Sequence, residues 1–319
     1  IDGVRPTITK INSTSPAAYY KVGDVIPVKI TFSENVSTTA ANIIKATLET
    51  GAVNADAILT YGAVDNADNT TQNYTVRLND FNASLNVNGP IVVTAGQRVN
   101  DQPGNEMTVK TIPTGKNLAD EVVDIFVDGV LPVDDGTDIT MSSKGGNVVA
   151  NIYNDTNTSV DFVVSLVTTD GTLTGGTIQM VAKIEPNGWT NIGDAYTIKT
   201  ADVTAGQATV NVLSAPIEAL TSFATDGVIK IKATVTDKAG NSNDWAESAN
   251  TLTIDVTVPT IASASSTTNA GVYKATDNIN VTLGFSEAVT MHNDDLDIIL
   301  NTTATIALAS GTISNVTTK

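Results

Sequence analysis

Val25-Ile26-Pro27-Val28-Lys29-Ile30-Thr31-Phe32-Ser33-Glu34 is the stretch on which the fold turns. Ile26, Val28, Ile30 and Phe32 alternate with Pro27, Lys29 and Thr31, the two-residue period of a strand with one buried and one wet face. The stretch returns at a constant offset of 253 as Ile279, Val281, Leu283 and Phe285, closing on Phe285-Ser286-Glu287. The same offset pairs Pro6 with Pro259, Thr7 with Thr260, Tyr20 with Tyr273, Lys21 with Lys274 and Asp24 with Asp277. A register held over some 35 residues marks an internal repeat.

Working outward, each repeat opens at a junction: Asp2-Gly3-Val4-Arg5-Pro6, Asp128-Gly129-Val130-Leu131-Pro132 and Asp255-Val256-Thr257-Val258-Pro259. These divide the 319 residues into modules 1–127, 128–254 and 255–319. The middle module lacks the Phe-Ser-Glu segment, so two related types follow one another in the order A, B, A. Alternation recurs at Tyr74, Val76 and Leu78, at Ile229, Ile231, Ala233 and Val235, and at Leu252, Ile254 and Val256. Helical spacing is confined to 118–123 and 215–220. Two matching turns, Asp101-Gln102-Pro103-Gly104-Asn105 and Asp237-Lys238-Ala239-Gly240-Asn241, read as the last hairpin of their modules. Short alternating strands between Gly-, Asn- and Asp-rich turns predict an all-β chain of tandem antiparallel β-sandwiches. The third module holds about half a repeat, so the native chain is expected to continue past Lys319, the alternative being that another copy supplies the missing strands.

Composition narrows the function. With 17 Lys and Arg against 34 Asp and Glu, the formal charge is -17 and the pI about 4.2, which excludes nucleic-acid phosphates and anionic membranes as partners. No stretch is apolar enough for insertion into a bilayer. The absence of Cys removes thiol nucleophiles and thiolate metal sites, and the single His292 removes any site built on two imidazoles. His292, beside Asn293, Asp294 and Asp295, reads as a solvated loop residue. Trp189 and Trp245 read as core or rim rather than a sugar platform. Nothing catalytic is expected.

The Asp-x-x-x-Pro-Thr-Ile junctions, Tyr20-Lys21-Val22-Gly23-Asp24 leading into Thr31-Phe32-Ser33-Glu34, and Thr236-Asp237-Lys238-Ala239-Gly240-Asn241 resemble the bacterial-type Ig-like repeats of prokaryotic surface proteins. The resemblance covers the first and third modules and the last third of the second. It implies immunoglobulin-like sandwiches of about seven strands strung end to end in an extended array, outside the cell and without catalysis. A surface-layer (S-layer) subunit is the first reading. The stalk of a repetitive adhesin is the second. Expected partners are copies of the chain, neighbouring surface proteins and cell-surface glycans.

In such a sandwich the start of the first strand and the loops after the second and before the last strand meet at one pole. That places Asp2, Glu34 and Asp101 together in module one, Asp128 and Asp237 in module two with Asp134, Asp135 and Asp138 nearby, and Asp255 and Glu287 in module three. Converging carboxylates repel unless neutralised, and Ca2+ with its six to eight oxygen ligands is the expected structural ion. The competing reading has these residues making turns and capping backbone. Ten Asn-x-Ser/Thr motifs occur, of which Asn69, Asn73, Asn154 and Asn157, in polar stretches, are the expected glycan carriers.

Overall fold

The structure is a computed structural model that describes residues 2–51, 53–121, 124–291, 297–299, 305–307 and 311–312. It divides into two compact units, Ile1–Ile254 and Asp255–Lys319. The chain is mostly strand, and no helix among the described residues is long and apolar enough to cross a membrane.

In the first unit the strands fall into two groups that share no sheet. The first group comprises β1 (Ile8–Asn12), β2 (Ala18–Tyr20), β3 (Val25–Thr38), β4 (Ile44–Leu48), β5 (Ala57–Tyr61), β6 (Ala67–Thr75), β7 (Phe81–Asn82), β8 (Val92–Val93), β9 (Val99–Asp101) and β10 (Ile125–Asp128), with the helical turn α1 (Leu118–Glu121). They pair as β1-β3-β6 with β9 also on β3, as β5-β4-β8, and as β2-β10-β7. Ile26, Val28, Ile30 and Phe32 of β3 are buried while Pro27, Lys29 and Thr31 are half-buried, as the period-two pattern dictates. Residues from all three sheets, among them Ile30, Leu48, Tyr61 and Val127, form one core cluster.

The second group comprises β11 (Thr140–Lys144), β12 (Ile152–Asn154), β13 (Ser159–Ser165), β14 (Thr177–Ile184), β15 (Thr190–Thr197), α2 (Thr200–Ala205), β16 (Gln207–Leu213), α3 (Ser214–Glu218), β17 (Val228–Thr236), β18 (Ser242–Asp244) and β19 (Leu252–Asp255). Its sheets run β11-β13-β16 and β12-β19-β17-β14-β15, with β18 on β17. Ile229, Ile231, Ala233 and Val235 face its interior. The final strand is broken in two, since β18 pairs with the end of β17 and β19 with its start.

Several details depart from the sequence reading. The pairing is not wholly antiparallel: β2 runs parallel to β10, with Ala18 opposite Ile125. The chain leaves β1 and, across bends at Thr14, Ser15 and Ala17, joins a different sheet, where β2 lies beside β10 in the same sense. Leu78 lies beyond the end of β6 and is 49% exposed, so the Tyr74–Val76 alternation stops there. The turn at Asp101 is followed by a long excursion containing α1 before β10, whereas the turn at Asp237 leads directly into β18. Helix α2 has no apolar stripe. Its signals are Asp202, whose Oδ2 accepts the Lys199 N–H at 2.8 Å, and Gly206, left-handed at φ 70°, directly after its end.

In the second unit β20 (Ile261–Ser265) pairs antiparallel with β21 (Thr282–Phe285). Short antiparallel pairs also link β22 (Thr290–Met291) with β25 (Gly311–Thr312), and β23 (Asp297–Ile299) with β24 (Thr305–Ala307). The repeat is visible in atomic detail. Ile261 opposes Phe285 as Ile8 opposes Phe32, each followed by a bulge. The N–H groups of Thr7 and Thr260 donate to Ser33 Oγ and Ser286 Oγ, both at 2.9 Å. Lys21 and Lys274 N–H donate to Asp24 and Asp277 Oδ2, and the Tyr20 and Tyr273 hydroxyls reach the carbonyls of Pro16 and Asn269.

A buried network fastens the second junction, at Asp128-Gly129. Asp80, fully buried, accepts bonds from Tyr74 OH, Arg77 Nε and Nη2, and Asn54 Nδ2 at 2.6–3.0 Å. Its backbone carbonyl takes the Gly129 N–H at 2.7 Å, and the Gly129 carbonyl takes the Asn79 N–H at 2.8 Å. A Cβ at residue 129 would collide with the Arg77 carbonyl oxygen and crowd the Asp80 backbone. Gly3, its counterpart in the first repeat, has open space around it. Gly129→Ala is therefore expected to destabilise the chain by about 2 kcal/mol or more through a clash that only backbone movement relieves, and Gly3→Ala to stay within ~0.5 kcal/mol. Urea denaturation midpoints of the two variants measure the contrast.

Candidate metal centres at the module poles

At the first pole the start of the chain, the long strand β3 and the turn after β9 converge. One oxygen each from Asp2, Glu34 and Asp101 lie within 4.8 Å of one another. Partial burial and the nearby Asp101 and Asp2 carboxylates push Glu34 above its ordinary range. Asp101 behaves oppositely. Burial raises it, but the Asn105 side chain and the Asn105 and Gly104 N–H groups, at 2.6–2.7 Å, together hold it below the usual carboxylate range.

The second pole lies inside the first unit, where the two strand groups meet. Asp128, 1% exposed, ends β10. Its Oδ1 accepts the Val130 N–H at 3.0 Å, the same turn that Asp2 makes with Val4 and Asp255 with Thr257. Its Oδ2 is buried without a partner. Asp237, 3% exposed, holds its turn as Asp101 does, with Oδ1 accepting Gly240 and Asn241 N–H and Oδ2 accepting Asn241 Nδ2. Asn241 completes the seam. Its Nδ2 also donates to the Asp128 carbonyl at 2.9 Å, while its Oδ1 accepts the Val22 N–H at 3.1 Å. Asn105 repeats only part of this, reaching the Asp2 carbonyl at 3.4 Å.

The sequence missed Asp170. It lies in the turn region between β13 and β14 and is 5% exposed. Its Oδ1 accepts the Thr172 N–H and hydroxyl at 2.8 and 2.5 Å, and its Oδ2 has no partner. Burial pushes both Asp128 and Asp237 above the ordinary carboxylate range, and the charge of Asp170 adds to each. Asp170 thus reaches the second pole from the turn between β13 and β14, whereas Glu34 at the first pole stands within strand β3 rather than in the loop the sequence predicted.

Other sequence candidates resolve into turns and ties. Asp134 accepts Gly136 and Ala246 N–H and Asp138 accepts the Ala249 N–H, so these two stitch the entry of module two to 246–249, while Asp135 accepts Thr137 N–H and the Ser165 hydroxyl and ties it to the end of β13. In the second unit Glu287 has one buried unpartnered oxygen, and burial and the Asp255 charge push it up. His292, Asn293, Asp294 and Asp295 lie outside the described residues. Trp245 is core at 3% exposure, and Trp189 lies at the rim under the Lys183 and Lys232 ammonium groups, 4.7 and 5.3 Å from its ring centre.

The glycan candidates divide. Asn69 and Asn73 stand on strand β6, not in a turn, with Asn73 exposed and Asn69 half-buried. Asn154 is half-buried and spends its amide on the Asn147 carbonyl and Thr156. Asn157 is corrected: it is 3% exposed, its Nδ2 donates to the Gly145 and Asn147 carbonyls and its Oδ1 accepts the Asn154 N–H, which leaves no room for a sugar in the folded chain.

No protein-family model matches the chain, and no curated protein matches it.

Because Asp128 is raised in the folded state, its contribution to stability is fully present below the unfolded carboxylate pKa and lost as pH rises through the folded value. Asp80 and Asp101, held low, contribute stability that is lost as pH falls. The difference between wild type and Asp128→Asn isolates the first term. In chelator at pH 7 the variant is expected to be more stable by about 1 kcal/mol or more, and the gap to close as pH falls to about 4. Asn241→Ala, which strips the Asp128 carbonyl and Val22 N–H of partners, is expected to cost about 2–4 kcal/mol, and Asn105→Ala less. Chemical denaturation across pH measures all three.

Proposed function

We propose that this chain is a non-catalytic structural segment of a large extracellular cell-surface protein, built of tandem immunoglobulin-like β-sandwiches, with an S-layer subunit as the leading assignment. The observation that carries the proposal is the seam at Asp128. One residue ends the last strand of one strand group, begins the next and is tied by Asn241 to both, which is a joint between beads in series. The parallel β2–β10 pair and the type A repeat reproduced bond for bond from module one in module three support the same reading. Domains 1–127, 128–254 and 255–319 are part of it.

Structural calcium at the poles belongs to this proposal. The donors are all carboxylate oxygens, the hard set that Ca2+ takes in flexible geometry, with no nitrogen or sulfur to favour zinc or copper. Partners are further copies of the chain, neighbouring surface proteins or cell-surface glycans, and Asn73 is the glycan acceptor with the freest surroundings. A cavity of about 230 Å³ is lined by Val53, Phe81 and Val130 among others.

The adhesin-stalk reading shares all of this and differs in assembly. Small-angle scattering of the chain is expected to give an elongated particle with a bimodal distance distribution, one peak for distances within a bead and one for distances between beads. Sheet-like assembly in calcium selects the surface-layer assignment, and a monomeric rod the stalk. A single-peaked compact distribution contradicts both.

A further inference from the structure

We infer that the junction carboxylates Asp128 and Asp170 form a binding site for a hard divalent cation, calcium being the fitting ion, with Asp237 as the neighbouring third charge. The inference deepens the reading of the poles as joints and rests on the seam described above, but it needs no surface location.

Three observations carry it. First, Asp128 Oδ2 and Asp170 Oδ2 are both buried and both lack any hydrogen-bond partner, although their residues are 1% and 5% exposed. A buried carboxylate oxygen without a donor is costly when charged, and such orphans are rare in folded chains. The other oxygen of each is satisfied by a local turn, which fixes the carboxylate with one oxygen to spare. Second, no protein cation answers them. Among the described residues no Lys or Arg nitrogen makes an ion pair with Asp128, Asp170 or Asp237. The adjacent Lys238 turns its ammonium away, over the Tyr19 ring at 4.6 Å and onto the Tyr19 hydroxyl at 3.2 Å. The single hydroxyl proton of Thr172 is already given to Asp170 Oδ1. Third, there is a path in and room for water ligands. The 230 Å³ cavity is lined by Asp170 and Gly171, and a second of about 150 Å³ by Asp128, Gly171 and Thr172. Either volume exceeds the space of several waters, which Ca2+ accepts within its shell of six to eight oxygens.

Asp170 and Asp128 stand on opposite sides of the joint in sequence. A cation between them would tie the loop after β13 to the end of β10 and so lock the two strand groups together. Magnesium fits less well, because it keeps its own waters and demands octahedral geometry from a site that offers two fixed oxygens.

The test uses the full 319-residue chain, stripped with chelator and titrated with calcium chloride by calorimetry, with thermal melts alongside. Wild type is expected to melt several degrees higher in calcium. Asp170→Asn, which keeps an oxygen for both Thr172 bonds, is expected to fold in chelator and to lose one binding equivalent or at least tenfold in its affinity. Glu34→Gln, at the other pole, is expected to keep that equivalent. Should Asp170→Asn bind calcium with the stoichiometry and affinity of wild type, the site is overturned. It is equally overturned if wild type binds none and instead melts higher as pH falls, with that gain abolished by Asp128→Asn, because a shared proton then neutralises the pair. Scattering separates the two proposals: an elongated two-bead particle that binds no calcium at Asp170 removes the site and leaves the array, and a compact particle that binds it does the reverse.

Discussion

One residue almost closed off from bulk water governs the first unit. Asp128 must close β10, turn the chain into the next strand group and offer its carbonyl to Asn241, all while 1% exposed. Each duty uses up a different atom, and the atom left over is a carboxylate oxygen in a place where charge is costly. The surrounding architecture follows from accommodating it. Gly129 lies against the Arg77 and Asp80 backbone because any side chain would lift the chain off, and Asp80 is pinned from four directions because its backbone must receive that glycine.

Comparing the poles shows how the same motif takes on different properties. Asp2 and Asp128 make the same turn, and Asn105 and Asn241 donate to the same kind of carbonyl. Asp2 is exposed, Asp128 is enclosed by the strand group that precedes it, and the bond to Asn shortens from 3.4 to 2.9 Å. Burial of the junction residue thus gives the same local turn a desolvated carboxylate at Asp128 and a solvated one at Asp2.

The strand pattern was legible because buried faces force alternation: β3 and β17 lie where Ile26–Phe32 and Ile229–Val235 predict them. The junction turns were legible too, since Asp and Gly-Asn there serve local backbone needs. Clustering of Asp2, Glu34 and Asp101 followed from topology applied to a clear repeat. Asp170 stayed hidden because the middle module has lost the Phe-Ser-Glu marker, and a lone Asp-Gly looks like any turn. Helix α2 stayed hidden because Thr and Val disfavour helices and only its ends carry signals. The burial of Asn157 is a matter of three-dimensional packing around Gly145 and Asn147, on which a three-residue glycan motif is silent.

The parallel pairing of β2 with β10 has a mechanical consequence. The strand near the beginning of the module runs alongside the strand at its end and in the same sense, Ala18 beside Ile125 through Tyr20 beside Val127. Tension applied between the two ends of the module drags these strands past one another lengthwise, so their hydrogen bonds are loaded together rather than opened one at a time. With the stacked rings of Tyr19 and Phe126 lying across that pair at 4.6 Å, this patch is where the module would resist being pulled apart.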